Sequence, residues 1–162
     1  MRHLAEHIKI CRATPEDTIG ILALQKLAYQ SEAQIYNDWS LPPLLQTIEE
    51  IREEFNTHIF LKAVSEHSII GSVRALTMDA TCHVGRLIVH PKWQNQGIGT
   101  LLMKEIEIMH RYVARFELFT GSHSIGNLHL YRKLGYQEFR RESLTSKVEL
   151  IYLEKIPVDY RV

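Results

Sequence analysis

One short stretch constrains this chain more than any other: Gln94-Asn95-Gln96-Gly97-Ile98-Gly99-Thr100, directly behind the apolar run Arg86-Leu87-Ile88-Val89 and directly ahead of a long helical pattern. A strand, a glycine-bearing turn and a helix in that order form an anion site. The first N–H groups of a helix have no intrahelical partner, carry partial positive charge and point out along the axis. Glycine at 97 and 99 has no Cβ, so an anion can approach the backbone closely. A phosphate or pyrophosphate is the expected guest.

Two familiar phosphate loops fail to match. A P-loop needs Gly-Lys-Ser/Thr at the helix start, but Gly99 is followed directly by Thr100 and the upstream glycine is missing. A dinucleotide-binding turn needs a third glycine at a position that is Leu102 here. What remains is Gln-x-x-Gly-x-Gly. Downstream comes a second pattern, Leu130-Tyr131-Arg132-Lys133-Leu134-Gly135-Tyr136, preceded by Thr120-Gly121-Ser122-His123-Ser124-Ile125-Gly126-Asn127. The first motif resembles the acyl-CoA pyrophosphate loop of the GNAT family of N-acetyltransferases, and the second resembles the signature that follows that family's fifth strand. Both occur in the family's order, and the resemblance covers residues 8–154. It departs from the common pattern at one place: many members carry Asn seven residues before the tyrosine, where this chain has Ser124, with Asn127 four before it. Either residue is open to the polar role.

Length fits one domain, 1–162, large enough to bury a core. The apolar share of 45%, the charged share of 23% and a formal net charge of zero are those of an ordinary globular chain. A neutral balance argues against a broad nucleic-acid or membrane surface. No apolar run approaches transmembrane length, and the N-terminus lacks the apolar region of a secretion signal. Two cysteines, Cys11 and Cys82, make no disulfide framework, so a cytoplasmic setting is expected. His3 and His7 are spaced i, i+4 but are expected in an N-terminal tail, and no cluster has metal-ligand spacing.

The periodicity predicts a first strand at Ile8–Arg12 and a helix opened by Thr14-Pro15-Glu16-Asp17 that runs to about Tyr29. A second helix opens at Ser40-Leu41-Pro42-Pro43, with Leu44, Ile48, Ile51 and Phe55 on one face. Strands are expected at Ile59–Val64, Ile69–Met78 and Cys82–Val89, with a turn near Glu66-His67. The helix behind the glycine loop places Ile98, Leu102, Ile106, Met109 and Val113 on one side. Arg115–Thr120 is a strand, Asn127–Leu134 a short helix closed at Gly135, and Tyr136–Arg141 with Lys147–Leu153 a closing hairpin. The order βααβββαβαββ implies an α/β fold, a mixed central sheet of about seven strands with helices on both faces. It is also the element order of the GNAT family.

The resemblance implies acyl transfer from acetyl-CoA, as cosubstrate, to a primary amine of a small molecule or protein, by direct attack in a ternary complex. The amine must lose a proton, the oxyanion must be held and the leaving thiolate must be protonated. Main-chain N–H groups of Gln96, Gly97, Ile98, Gly99 and Thr100 would hold the pyrophosphate, with Gln94 and Asn95 of the same loop also among the cofactor-binding residues. Leu87, Ile88 and Val89 would bond the pantetheine arm, with the Val89 N–H as oxyanion donor. Tyr131 matches the family's general acid, Asn127 lies one turn before it, and Lys133 would help neutralise a phosphate. In relatives a Glu or His on the fourth strand acts as base. The matching position is His83, whose unperturbed pKa of about 6.5 suits the task; strand alternation puts His83, Gly85, Leu87 and Val89 on one face. Glu32, Asp38 or a water chain are the other candidates. Acceptor selection is expected in the connection between the first two helices, through Tyr29, Glu32, Tyr36 and Asp38, since aromatic faces and carboxylates favour a cation.

A second function on the same fold is a non-catalytic acyl-CoA-binding sensor, against which Tyr131 and a plausible base argue. A third, a nucleotide-binding interaction domain, is disfavoured by the failed phosphate-loop matches. The acceptor and the assembly are not written in the sequence, and a homodimer is left open.

Overall fold

Seven strands form one sheet: β1 (Ile8–Arg12), β2 (Ile59–Ser65), β3 (Ser68–Met78), β4 (Thr81–Val89), β5 (Arg115–Gly121), β6 (Gln137–Ser143) and β7 (Glu149–Lys155). The computed structural model describes residues 7–157, so His3 and its spacing to His7 lie outside the described residues. The strand order is β1-β2-β3-β4-β5-β7-β6. Every neighbouring pair is antiparallel except β4 and β5. One face carries α4 (Ile98–Met109) and α5 (Ile125–Lys133). There Ile98, Leu102, Met103 and Ile106 pack with Leu61, Val73, Val84 and Phe116 in the main core. The other face carries α1 (Thr18–Tyr36), α2 (Pro42–Leu45) and α3 (Ile48–Glu54), with Ile21, Leu22, Ile51 and Phe60 in a second cluster. Each fully buried Leu or Ile contributes roughly 1.5–3 kcal/mol of transfer free energy.

Three elements differ from the sequence expectation. Thr14 and Asp17 form a capping box around a single 3-10 turn, Pro15–Asp17, and the α-helix proper starts at Thr18. That helix runs past Tyr29 to Tyr36, because residues 30–36 contain no glycine or proline. It stops at Asn37, whose left-handed φ of 48° turns the chain so that the Asp38 N–H reaches back to the Ala33 carbonyl at 3.0 Å. Tyr29, Glu32 and Tyr36 therefore lie on helix, not in a connection. The expected second helix is two pieces. Gln46 leaves helical geometry and turns its side chain inward, accepting from Gln25 Nε2 at 2.9 Å and donating to Glu54 Oε1 at 2.9 Å. Thr47 then caps α3 by accepting from the Glu50 N–H at 3.2 Å. In α4, Met103 takes the inner place expected for Met109, which is 37% exposed, and Val113 lies beyond the helix end.

The parallel β4–β5 pair positions the site. The strands pair only at Thr81–Arg115, Cys82–Phe116 and His83–Glu117. Beyond His83 and Glu117 no β4–β5 pairing continues, so the strands part and leave a wedge that opens toward their C-terminal ends. A bulge lies on the β3 side of the same stretch. Ser72 faces Ile88 and Arg74 faces Gly85, so Val73 alone opposes both Arg86 and Leu87. Arg86 is the extra residue, at a left-handed φ of 51°. An inserted residue reverses the facing of everything beyond it. Cys82 and Val84 pack under α4, while Ile88 packs with Leu24 and Ala28 of α1. Leu87 and Val89 pack against the α4-side core. The expected alternation is thus overturned: His83 and Gly85 do not share a face with Leu87 and Val89.

Candidate functional site

The apex of the wedge is built from backbone. His90 donates its N–H to the Ile70 carbonyl at 2.8 Å. In an antiparallel ladder that bond makes Gly71 and Val89 a non-hydrogen-bonded pair, so the main-chain groups of Val89 point away from β3 and into the wedge. The Val89 carbonyl accepts from Gln94 Nε2 at 3.3 Å, which anchors the following loop. Asn95 and Gly97 take left-handed φ values of 62° and 85°, and Gly97 is the N-cap of α4. A Cβ on Gly97 would meet nothing within 4 Å. The main-chain N–H groups of residues 96–100 donate to no backbone carbonyl among the described residues; the first such bond is Leu101 to Gly97 at 3.0 Å. The loop is a row of free donors over open space at a helix N-terminus.

A cavity of about 640 Å³ fills the wedge. Of the sequence candidates, Tyr29, Glu32, Leu87, Ile88, Val89, Gln94, Asn95, Gly97, Ile98, Gly99, Thr100, Asn127 and Lys133 line it. Gln96, Tyr36, Asp38, His83 and Tyr131 do not. Asp38 accepts from the Ser40 N–H at 2.9 Å and from its hydroxyl, which holds its carboxyl below the usual carboxylate range. His83 sits where β4 and β5 are still paired, with Nδ1 3.2 Å from Glu117 Oε2. The α1-side face of the wedge is thus reached from α1, not from the loop behind it.

Ser124, the N-cap residue of α5, is 3% exposed and ties α1 to α5. Its hydroxyl donates to Glu32 Oε2 at 2.5 Å and pairs with the Tyr36 hydroxyl at 2.7 Å. The Tyr36 oxygen also accepts the His123 N–H at 3.0 Å. Asn127 instead donates to Thr120 Oγ1 at 3.3 Å. Tyr131 is buried in the core with its ring edge-on to Tyr136, and its hydroxyl makes no hydrogen bond among the described residues. Burial, with Tyr29 and Glu32 nearby, pushes its pKa well above the usual phenol value. Burial likewise raises Tyr29, against the pull of the Arg86 guanidinium beside it. Three groups escaped the sequence: Ser124 as a link to Glu32, Trp93 in the cavity wall, and Arg86 at the bulge. Only the last left a signal, the lone Gly85 inside a strand pattern.

Among the described residues no group of three or more His, Cys, Asp or Glu is placed to hold a metal ion, and no helix is long and apolar enough to cross a membrane. Residues 56–138, more than half of the chain, match the family described as acetyltransferase (GNAT) domain. No curated protein matches significantly in sequence. Among solved structures, the ribosomal-protein-S18-alanine N-acetyltransferase of Escherichia coli aligns over 93% of this chain and 94% of its own, with a TM-score of 0.77 at 13% identity. PaiA N-acetyltransferase of Thermoplasma acidophilum, in complex with coenzyme A, aligns over 92% and 98%, with a TM-score of 0.69 at 19% identity. YncA of Salmonella typhimurium, with its cofactor acetyl-CoA, aligns over 96% and 97%, with a TM-score of 0.73 at 12% identity. At these identities the likeness is one of fold.

Proposed function

This chain belongs to the GNAT acetyltransferase family, and we propose that it transfers the acetyl group of acetyl-CoA to a primary amine by direct attack within a ternary complex. The observation that carries the proposal is the wedge itself: free N–H donors at residues 96–100, open space over Gly97, and an unpaired inner edge of β4 leading from the loop to the bulge. Those features fit a pyrophosphate followed by an extended amide-bearing arm. The coenzyme A and acetyl-CoA named for two of the structural neighbours support the same cosubstrate. Acetyl-CoA, when bound, supplies the electrophilic thioester carbon.

The chain's own residues have three tasks. The N–H of Val89 faces the wedge and is assigned the thioester oxygen. Glu32, rather than His83, is assigned the amine proton. It lines the cavity and is oriented by Ser124, whereas His83 stands outside it against Glu117. An ammonium acceptor first passes one proton through Glu32 to solvent; as the neutral amine attacks, the C–N bond forms and Glu32 takes its second proton, the C–S bond breaks, and the departing sulfur takes the Tyr131 phenolic proton. Tyr131, like His83, does not line the cavity; it is assigned on its match to the family's tyrosine, and burial, with Tyr29 and Glu32 nearby, raises its pKa above the ordinary phenol value. The burial that raises it also raises the basicity of a thiolate formed beside it, so the transfer is not opposed by the full difference between a phenol and a free thiol. Solvent then reprotonates the phenolate. Ser124 is assigned to hold Glu32, and Asn127 with Lys133 to line the path of the arm.

Thiol release from acetyl-CoA, measured with a mixed panel of primary amines, tests the proposal. Amine-dependent release is expected. Tight acetyl-CoA binding with no amine-dependent release would replace the transferase with a sensor.

A further inference from the structure

We infer that Tyr36 is a positioning residue for the base: acting through Ser124, it commits one carboxylate oxygen of Glu32 and leaves the other, Oε1, to meet the acceptor amine. The inference rests on the assignment of Glu32 as base and deepens it. Tyr36 is the last residue of α1, is buried, and does not line the cavity. Its hydroxyl nevertheless stands only one hydroxyl away from the base. The direction of each bond follows from counting protons. The His123 N–H can only donate, and it gives to the Tyr36 oxygen at 3.0 Å. Ser124 has one hydroxyl proton, which goes to Glu32 Oε2 at 2.5 Å. The 2.7 Å contact between the two hydroxyls therefore runs from Tyr36 to Ser124. A main-chain donor, Tyr36, Ser124 and Glu32 form a chain of one polarity.

That polarity separates the two carboxylate oxygens. A proton placed on Oε2 would have to point at Ser124, whose own proton would then turn to Tyr36, its other partner among the described residues. The Tyr36 proton would be left in the core without an acceptor, a costly state for a buried hydroxyl. Oε1 takes no hydrogen bond among the described residues, and Glu32 lines the cavity, so the protons of the amine go to Oε1. The fold keeps a seat for the phenol. A Cβ on Gly121, the last residue of β5, would overlap the Tyr36 hydroxyl and stand 3.1 Å from the Ser124 oxygen. Gly121 has no left-handed φ, so the hydroxyl, not the backbone, requires a glycine there. The ring is held separately. It stacks on the His123 imidazole with centroids 5.7 Å apart and packs with Ala33, Leu41, Val148 and Leu150. Packing belongs to the ring and the orientation of Glu32 to the hydroxyl, and Tyr36→Phe separates the two.

Thiol release from acetyl-CoA by the full chain tests this, with whichever of tyramine, isopentylamine, putrescine and leucinamide turns over fastest. Tyr36→Phe should lower kcat roughly three- to tenfold, the worth of one neutral hydrogen bond, and leave KM for acetyl-CoA unchanged. Added to Glu32→Gln, the same change should lower kcat by less than about twofold more, because residues that act as a unit are not additive. Ser124→Ala removes the same link without touching the ring and should show the same lack of additivity with Glu32→Gln; it decides if Tyr36→Phe does not fold. Near-normal kcat in Tyr36→Phe, or an equal loss with and without the Glu32 carboxylate, would overturn the inference and leave Glu32 as base. A wild-type rate in Glu32→Gln would remove the base and the inference with it. The carbon magnetic-resonance signal of the Glu32 carboxyl, assigned as the one lost in Glu32→Gln, needs no turnover. Tyr36→Phe should move it in the same direction as Ser124→Ala, and an unmoved signal would overturn the inference. A moved signal with no release from any amine keeps the positioning and removes the transferase.

Discussion

In the proposed mechanism Tyr131 and Glu32 divide the proton chemistry between them, and each is testable by removing one functional group. Tyr131→Phe keeps the ring that packs on Tyr136 and deletes only the hydroxyl, which bonds nothing among the described residues. Turnover should fall by roughly 10²–10⁴, mainly in kcat, because the proton moves only in the transition state. The loss should shrink with an acyl donor whose leaving thiol is more acidic. Glu32→Gln keeps an acceptor for the Ser124 hydroxyl and removes the base, so it should lower kcat by a similar factor of roughly 10²–10⁴. His83→Ala, which breaks only the contact with Glu117, should cost far less. Steady-state kinetics on the three variants checks the division; a larger loss from His83→Ala than from Glu32→Gln would return the base to the strand.

Elements whose signals are local were legible in the sequence. The glycine loop, the hairpin turn at Glu66-His67 and the left-handed cap at Gly135, with φ 98°, each depend on residues within a few positions. What could not be read depends on partners distant in sequence. Gln46 breaks the second helix because Gln25 and Glu54 hold its side chain. Arg86 becomes a bulge because β3 offers one residue opposite two. That single insertion moves His83 off the face of Leu87 and Val89, which is why counting along the strand pointed to a histidine outside the cavity. The loop prediction belongs at this scale. Gly97→Val meets no atom but forces a β-branched residue to a φ of 85°. It should cost roughly 1–2 kcal/mol of stability and, by disturbing the donor row, weaken acetyl-CoA by roughly tenfold or more. Calorimetry beside thermal unfolding measures both, and unchanged affinity in a folded variant would remove the pyrophosphate from this loop.

The whole molecule is a sheet held together at one end of β4–β5 and opened at the other, with α1 and α4–α5 on opposite faces. The closed end carries Cys82, fully buried under α4, and burial pushes its thiol up to about 11. Between pH 9 and 11 the folded chain keeps that proton while the unfolded chain has lost it, so stability falls as pH rises through this window. A two-unit difference corresponds to about 2–3 kcal/mol. Denaturant unfolding should show the decline, and Cys82→Ala should flatten part of it. The open end carries the proposed acetyl-CoA site. Amide-resolved nuclear magnetic resonance of the full chain, titrated with acetyl-CoA, tests that most directly. The account predicts that the largest shifts fall on the N–H groups of residues 96–100 and of Leu87 and Val89, with the paired residues Thr81–His83 little changed. Shifts concentrated away from the β4–β5 wedge would contradict it.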